Sequence, residues 1–306
     1  MTAIAGARTT RLAALALVGN AFVWGTSWWP LRQLQAQGLH PLWASAIVFT
    51  LASLVIAALR PRALGQVLRT PALWLLVVAA GLTNAAFNWG VVIGDVVRVV
   101  LLFYLMPLWT VLLARLVLGE RLTRAAALRI VLGVVGAAIV LWPTGSRADA
   151  GLAARLPLPA TLADWLGLVG GASFAFNNVM LRREADRPEE GRAMAMFAGA
   201  AIVCGALAAA LTTGGAIASP PVVVGAWLLW TAGLTVLFLA GNLALQYGAA
   251  RLPANRTAVV MLSEVLFASL SALALGGGTL SMQLVVGGAF IVAGALLAAL
   301  APAPHP

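Results

Sequence analysis

Apolar residues in this chain come in ten long runs, near 12–31, 42–59, 72–94, 97–118, 125–142, 163–181, 193–213, 223–248, 255–275 and 281–300. Charge, proline or a glycine cluster ends each run. Runs of roughly 20 residues match the length a helix needs to cross about 30 Å of hydrocarbon. A transmembrane barrel would alternate apolar and polar positions in segments of about 10 residues, and that alternation is absent. The first run carries Trp24, Trp28 and Trp29 and is longer than the roughly 7–15 residues of a signal-peptide core, so it reads as an uncleaved span. The pattern predicts an all-α polytopic membrane protein with ten transmembrane helices.

Composition agrees. Of 306 residues 62% are hydrophobic and 9% charged, with a mean hydropathy of +0.99, which excludes an ordinary soluble domain. The single Cys204 lies inside an apolar run and offers neither a disulfide framework nor a thiolate metal site. Lysine is absent, and the formal charge of +10 is the balance of 19 arginines, most of them dispersed in the short segments flanking the runs, against 9 acidic residues. A nucleic-acid surface would cluster them on one face, so membrane orientation explains them better. With the N-terminus on the cytoplasmic side, only Arg32, Arg98, Arg147 and Arg155 fall outside. The rest fall inside, as basic residues do. Eight of the 11 tryptophans sit near run ends, like an interfacial belt, and Trp24, Trp89 and Trp109 lie within runs.

The chain also repeats itself. Residues 15–21 (LALVGNA) align with 166–172 (LGLVGGA) at an offset of 151, and later segments align at 158. At that offset Asn84 falls on Asn242, Asn88 on Gln246, Trp89-Gly90 on Tyr247-Gly248, Arg98 on Arg256, Leu122-Thr123 on Leu280-Ser281 and Gly136 on Gly294. Two copies of five spans each must face opposite ways, because an odd number of crossings inverts the second. The expected organisation is a first half over 1–142, an external linker over 143–162 and a second half over 163–306, forming two inverted five-helix repeats. Such repeats are a transporter architecture with a midplane site, although duplication also yields channels and scaffolds. No phosphate-binding G-x-x-x-x-G-K-[ST] occurs, which argues against ATP as the energy source.

Several motifs resemble a known family. The five-plus-five layout, the Leu-x-Leu-Val-Gly start of each half, Tyr104-Leu-Met-Pro107 before Leu118-Gly-Glu-Arg-Leu-Thr123, and Leu262-Ser-Glu264 before Leu280-Ser281 look like the EamA type of the drug/metabolite transporter superfamily. Within it, Asn84 and Asn88 of the third span and Phe-Tyr-Leu-Met-Pro of the fourth are most similar to aromatic amino-acid exporters of the YddG kind. The family usually joins Glu and Pro in the fourth span of a half. Here the first half has Met106-Pro107 and the second Glu264-Val265, so the halves have diverged. The resemblance implies a multi-pass protein of a bacterial-type cytoplasmic (inner) membrane, with both termini cytoplasmic and export as the direction.

Intramembrane polar groups are costly and face a cavity or a partner helix. Asn84, Asn88, Val91 and Asp95 share one helical face, and Asn242 and Gln246 repeat its first two places. These amides could line a cavity for a polar solute or hold helices together. Glu264, the one carboxylate deep inside a span, could bind an ammonium group, carry a proton or play a structural part. Arg98 could take a substrate carboxylate or pair locally with Asp95. Glu120 reads as a gate contact at a cytoplasmic turn. Aromatic candidates for the cavity are Trp24, Tyr104, Phe174 and Tyr247, joined by the polar Ser27, Asn177 and Asn178. The glycine pairs Gly90/Gly94 and Gly167/Gly171 read as packing or hinge positions.

These features predict a secondary transporter of small metabolites, with aromatic or hydrophobic amino acids as the first class and lipophilic cations handled by Glu264 as the alternative. An enzyme is disfavoured, since the only histidines are His40 and His305 and no G-x-S-x-G or intramembrane aspartate pair occurs. No cofactor and no metal is expected. The partners are a small-molecule substrate and the lipid bilayer, with no nucleic acid, and a monomer is one option.

Overall fold

The computed structural model describes residues 2–118, 123–143, 156–222 and 225–300, and among these all regular structure is helical. The order is α1 (Thr2–Thr26), α2 (Trp28–Ala36), α3 (Pro41–Leu59), α4 (Pro61–Arg69), α5 (Pro71–Ile93), α6 (Val96–Phe103) and α7 (Met106–Leu118). It continues with α8 (Arg124–Leu141), α9 (Leu162–Arg183), α10 (Glu189–Thr213), α11 (Ala226–Ala249), α12 (Ala254–Met261), α13 (Ser263–Leu275) and α14 (Met282–Ala299). Eight stretches are long and apolar enough to cross a membrane: Pro41–Leu59, Pro71–Ile93, Val96–Val117, Arg124–Leu141, Glu189–Thr213, Trp227–Ala249, Arg256–Leu275 and Met282–Ala299. Helices α1 and α9 stand outside those eight. Helix α9 carries Asp164, Asn177, Asn178, Arg182 and Arg183 and packs against α5, α6 and α7, with Asp164 and Asn177 buried and Arg182 and Arg183 exposed.

Local chemistry sets the ends. Pro41, Pro61 and Pro71 open α3, α4 and α5, where the missing N–H costs nothing. Thr123 caps α8 and Ser281 caps α14, each hydroxyl accepting from the amide three residues on. Thr161 and Asp164 form a capping box on α9. The short amphipathic α4 was not anticipated by the apolar runs. Most of the expected linker, residues 144–155, lies outside the described residues.

Three of the long apolar runs are interrupted. Ser27 separates α1 from α2, its hydroxyl donating to Trp24 O at 2.9 Å. Tyr104 and Leu105 separate α6 from α7 because the Pro107 ring excludes the carbonyl of Phe103 and supplies no N–H. Leu262 separates α12 from α13 without a proline.

Helix boundaries recur at the 158-residue offset. Helices α6 and α12 begin at Val96 and Ala254 and end at Phe103 and Met261, and the limits of α8 and α14 correspond residue for residue. The α8–α14 contact reads the same from both sides. A Cβ on Gly136 would meet Gly287 O at 2.7 Å, and one on Gly294 would meet Arg129 O at 3.4 Å, which is the same contact with the helices exchanged.

The glycine pairs are packing positions. Gly167 and Gly171 of α9 lie on the backbone of Val99 and Phe103 in α6, and Gly90 of α5 and Gly94 just past its end lie on Leu166 and Ala163 of α9. Small residues there let helix backbones approach closely.

Candidate functional site

The interrupted helices meet. Tyr104, between α6 and α7, is buried, and its hydroxyl lies 3.2 Å from Glu264 Oε2 and 3.3 Å from Met261 O. Both acceptors flank the break between α12 and α13. Helix α1 closes the third side: a Cβ on Gly25 would stand 2.8 Å from Glu264 O, and Asn20 Nδ2 donates to Met261 Sδ at 3.4 Å. Asn20 is fully buried, and its Oδ1 has no hydrogen-bond partner. A carboxylate, a phenol and an amide from three helices therefore gather where two helices lose their regular hydrogen bonding. Such a constellation can hold a donor group of a solute, or a proton, at a depth where lipid offers neither.

Aromatic rings flank this cluster. The Trp24 ring stacks on Phe238 at 4.7 Å, and Phe238 stacks on Phe49 at 5.5 Å. On the other side Phe103 contacts Phe87 at 4.8 Å, Phe174 at 5.4 Å and Tyr104 at 6.2 Å. Offset and edge contacts of this kind make rigid apolar walls.

The amides divide. Asn88 is fully buried and donates to Ser45 Oγ of α3 at 3.0 Å, which ties two helices. Asn84 is half-buried and donates to Ala80 O of its own helix. In α11, Gln246 donates to Asn242 Oδ1 at 2.7 Å. Asn177 is buried with Oδ1 unpartnered, Asn178 is half-buried, and the Tyr247 ring lies under the Arg251 guanidinium at 3.8 Å. Ser27 is buried at the first break.

Arg98 and Asp95 make their bonds at helix ends. The Arg98 side chain turns to Asp164 of α9, with Nε 2.6 Å from Oδ1 and Nη2 3.3 Å from Oδ2, while Nη1 donates to Val140 O at 2.6 Å. Asp95 caps α6, accepting from Arg98 N at 3.0 Å, and also accepts from Thr279 N at 2.9 Å. Arg32 of α2 donates to Val91 O, Val92 O, Gly94 O and Gly277 O. The ends of α2, α5, α6, α8 and α9 and the turn after α13 are thereby drawn together at one end of the bundle, here termed the Arg98 end. Glu120 lies outside the described residues. Asn20, Arg32 and Asp164 were missed in the sequence. Thr161-x-x-Asp164 was legible as a capping box, and Asn20 was visible as an amide inside an apolar run.

A cleft of about 580 Å³ opens beside Arg98, lined by Gly94, Asp95, Trp142, Thr161 and Asp164 among others. A smaller one of about 370 Å³ lies at the opposite end, lined by Thr10, Ala14, Leu252, Arg256, Val259, Val260 and Leu300. Four residues of the second, Thr10, Leu252, Arg256 and Leu300, are the repeat positions of Thr161, Gly94, Arg98 and Trp142. Between α2 and α3, His40 caps α3 by accepting from Leu42 N through Nδ1, and burial holds its pKa below the usual imidazole value.

Residues 11–142 match the EamA-like transporter family, so an EamA-like domain occupies that part of the chain. A solved structure described as "Crystal structure of protein" shares the fold, with a TM-score of 0.54 and 22% identity over 94% of this chain and 96% of its own. The comparison with curated proteins gave no match.

Proposed function

We propose that the protein is a secondary transporter of small solutes that works by alternating access between two inverted five-helix halves. The first half is 1–142 and the second 163–306, joined by a linker over 143–162. In this reading α1 with α2 and α9 are spans, giving ten, and both termini are cytoplasmic. The observation that carries it is the meeting of two helix breaks at matching repeat positions, joined by Tyr104 and Glu264. Discontinuous helices at a repeat interface are where transporters of this architecture bind substrate. The exchange-symmetric α8–α14 contact supports the two-fold relation between halves, since a self-complementary contact is what a two-fold produces.

The site's chemistry favours solutes with an apolar or aromatic side chain and a donor group. Trp24, Phe174 and Tyr104 supply faces, and Glu264, Asn20, Asn84, Asn177, Asn178, Asn242 and Gln246 supply polar groups. Aromatic and hydrophobic amino acids are the class we assign, exported across the inner membrane. The test is counterflow in proteoliposomes with amino acids, sugars, nucleotides and lipophilic cations. Counterflow of tryptophan, phenylalanine or leucine is expected, and none by any amino acid overturns the assignment. A periplasm-active reporter fused after Gly214 should be active and one after Pro188 silent, whereas the reverse rejects the orientation.

Glu264 favours a second reading. It is a carboxylate within a span, held by a neutral phenol rather than by a cation. Proton-coupled export of lipophilic cations would use it directly.

A further inference from the structure

Helix α4 joins two membrane-crossing stretches through single residues. Arg60 separates it from α3, which ends at Leu59, and Thr70 separates it from α5, which begins at Pro71. Because Pro41–Leu59 and Pro71–Ile93 are both long and apolar enough to span, these short joints fix α4 at the level where the hydrocarbon ends. Helix α5 runs from α4 to the Arg98 end, so α4 lies at the opposite end of the bundle. Its nine residues divide into three strips. Ala63 and Val67, four apart, are buried in one cluster with Leu73 and Leu76 of α5 and Met194 of α10, and Gln66 Nε2 donates to Glu190 Oε1 of α10 at 2.8 Å. Leu64 and Leu68, also four apart, are 46% and 61% exposed on one flank. Arg62 and Arg69, seven apart, are exposed on the other flank, and Arg60 at the preceding joint is exposed too.

We propose that α4 is an interfacial helix that binds anionic phospholipid, with Leu64 and Leu68 among the acyl chains and Arg60, Arg62 and Arg69 on headgroup phosphates. Water satisfies the arginines but not the leucines, and hydrocarbon the leucines but not the arginines. The headgroup layer serves both, and the guanidinium fork matches a phosphate. The charge on these arginines is uncompensated by protein. None of the three guanidinium groups makes an ion pair or hydrogen bond with a described residue, whereas Arg183 and Arg187 pair with Glu184. Residues 1–94 contain no Asp or Glu, and Glu190, the acid bonded to α4, is taken up by Gln66. A headgroup with net negative charge therefore gains more here than one whose phosphate is already neutralised by its own cation. The corresponding connection of the second half, residues 214–225, carries no charged residue, so the basic helix belongs to one face of the membrane.

The lipid site rests on α3 and α5 being spans, and its test uses no transported solute. In a Cys204→Ala background, Gly65→Cys carries a bimane fluorophore, since a Cβ added at Gly65 meets nothing within 4 Å. The labelled protein is reconstituted into bilayers containing phosphatidylglycerol or phosphatidylcholine with brominated acyl chains, which quench the fluorophore on contact. Phosphatidylglycerol should associate at least about fivefold more tightly, the factor that one arginine near an anionic surface supplies. Replacing Arg60, Arg62 and Arg69 together by Gln should bring the ratio close to one. Leu64→Gln with Leu68→Gln should weaken quenching by both lipids. Equal association of the two lipids in the parent, or a preference unchanged in the triple Gln variant, overturns the lipid site. Absence of quenching by either lipid, or quenching unchanged in the double Leu variant, overturns the placement of α4 in the headgroup layer. Failed counterflow with the expected quenching would remove the transport reading and leave the lipid site standing.

Discussion

The hydroxyl of Tyr104 lies 3.2 Å from a carboxylate oxygen of Glu264, across the break between α6 and α7 and the break between α12 and α13. Tyr104 and Leu262 are repeat mates, so one break supplies the phenol that reaches the other. The first break is explained by Pro107. At the second, Val265 occupies the proline's position, and the carbonyl preceding the break, Met261 O, is within reach of the phenol instead.

Tyr104→Phe is therefore expected to cost about 1–3 kcal/mol, since it strips a donor from acceptors in a dry site without changing packing volume. Thermal unfolding in mild detergent checks this. A variant as stable as the parent would mean that the hydroxyl makes no net contribution there.

Close helix contact gives a sharper contrast. A Cβ on Gly171 would collide with the carbonyl of Phe103, whereas Gly19 has nothing within 4 Å and is exposed on α1. Gly171→Ala should lower the yield of folded protein and its melting temperature. Gly19→Ala should be neutral or stabilising by up to about 1 kcal/mol, the helix preference of alanine over glycine. Equal tolerance at both positions would contradict the α6–α9 packing.

How much of this was legible follows from what each feature depends on. Lipid imposes long apolar runs, so the long helices were readable as runs, whereas the short amphipathic α4 and the break between α6 and α7 were not read, although Pro107 is a local signal for that break. Nothing local marks Leu262 as the other, because its partner phenol is more than 150 residues away. Arg98 was visible as a costly charge, but Asp164 was not visible as its partner, since only the packing of α6 on α9 brings them together. Asn88 had two open readings, cavity lining or interhelical tie, and both stand, since its Nδ2 bonds Ser45 of α3 while its Oδ1 has no partner. The repeat in sequence extended to helix limits and caps because Thr123 and Ser281 perform one task, stopping the helix from unravelling at its start.

His40 gives a pH prediction. Nδ1 accepts the Leu42 amide, so this cap requires neutral imidazole, and burial lowers the folded-state pKa below the free value of 6.5. A depressed folded pKa contributes stability above the unfolded pKa and loses it as pH falls through the folded one. Melting temperature should accordingly drop on acidification below about pH 6.5, and His40→Asn, a cap that does not titrate, should flatten the drop. An identical pH profile in the variant would show that His40 does not contribute.

The last prediction separates the two transport readings through Glu264→Gln, which keeps size and the ability to accept from Tyr104 but removes the charge. If the solute is a zwitterionic amino acid and Glu264 is structural, counterflow should persist with a similar pH profile, because the aromatic walls and remaining amides still recognise it. If Glu264 carries the proton, a pH gradient should no longer drive uphill movement, while downhill exchange survives because exchange needs no net proton movement. Lipophilic cations add an independent arm: losing the carboxylate should weaken their binding, whereas a neutral aromatic solute should be nearly indifferent. We expect the first outcome, since the polar groups assigned to the site are predominantly amides, and Asn20, which reaches Met261, keeps its Oδ1 free of hydrogen bonds. Gradient-driven transport abolished in Glu264→Gln, with the melting temperature intact, would decide for the proton carrier.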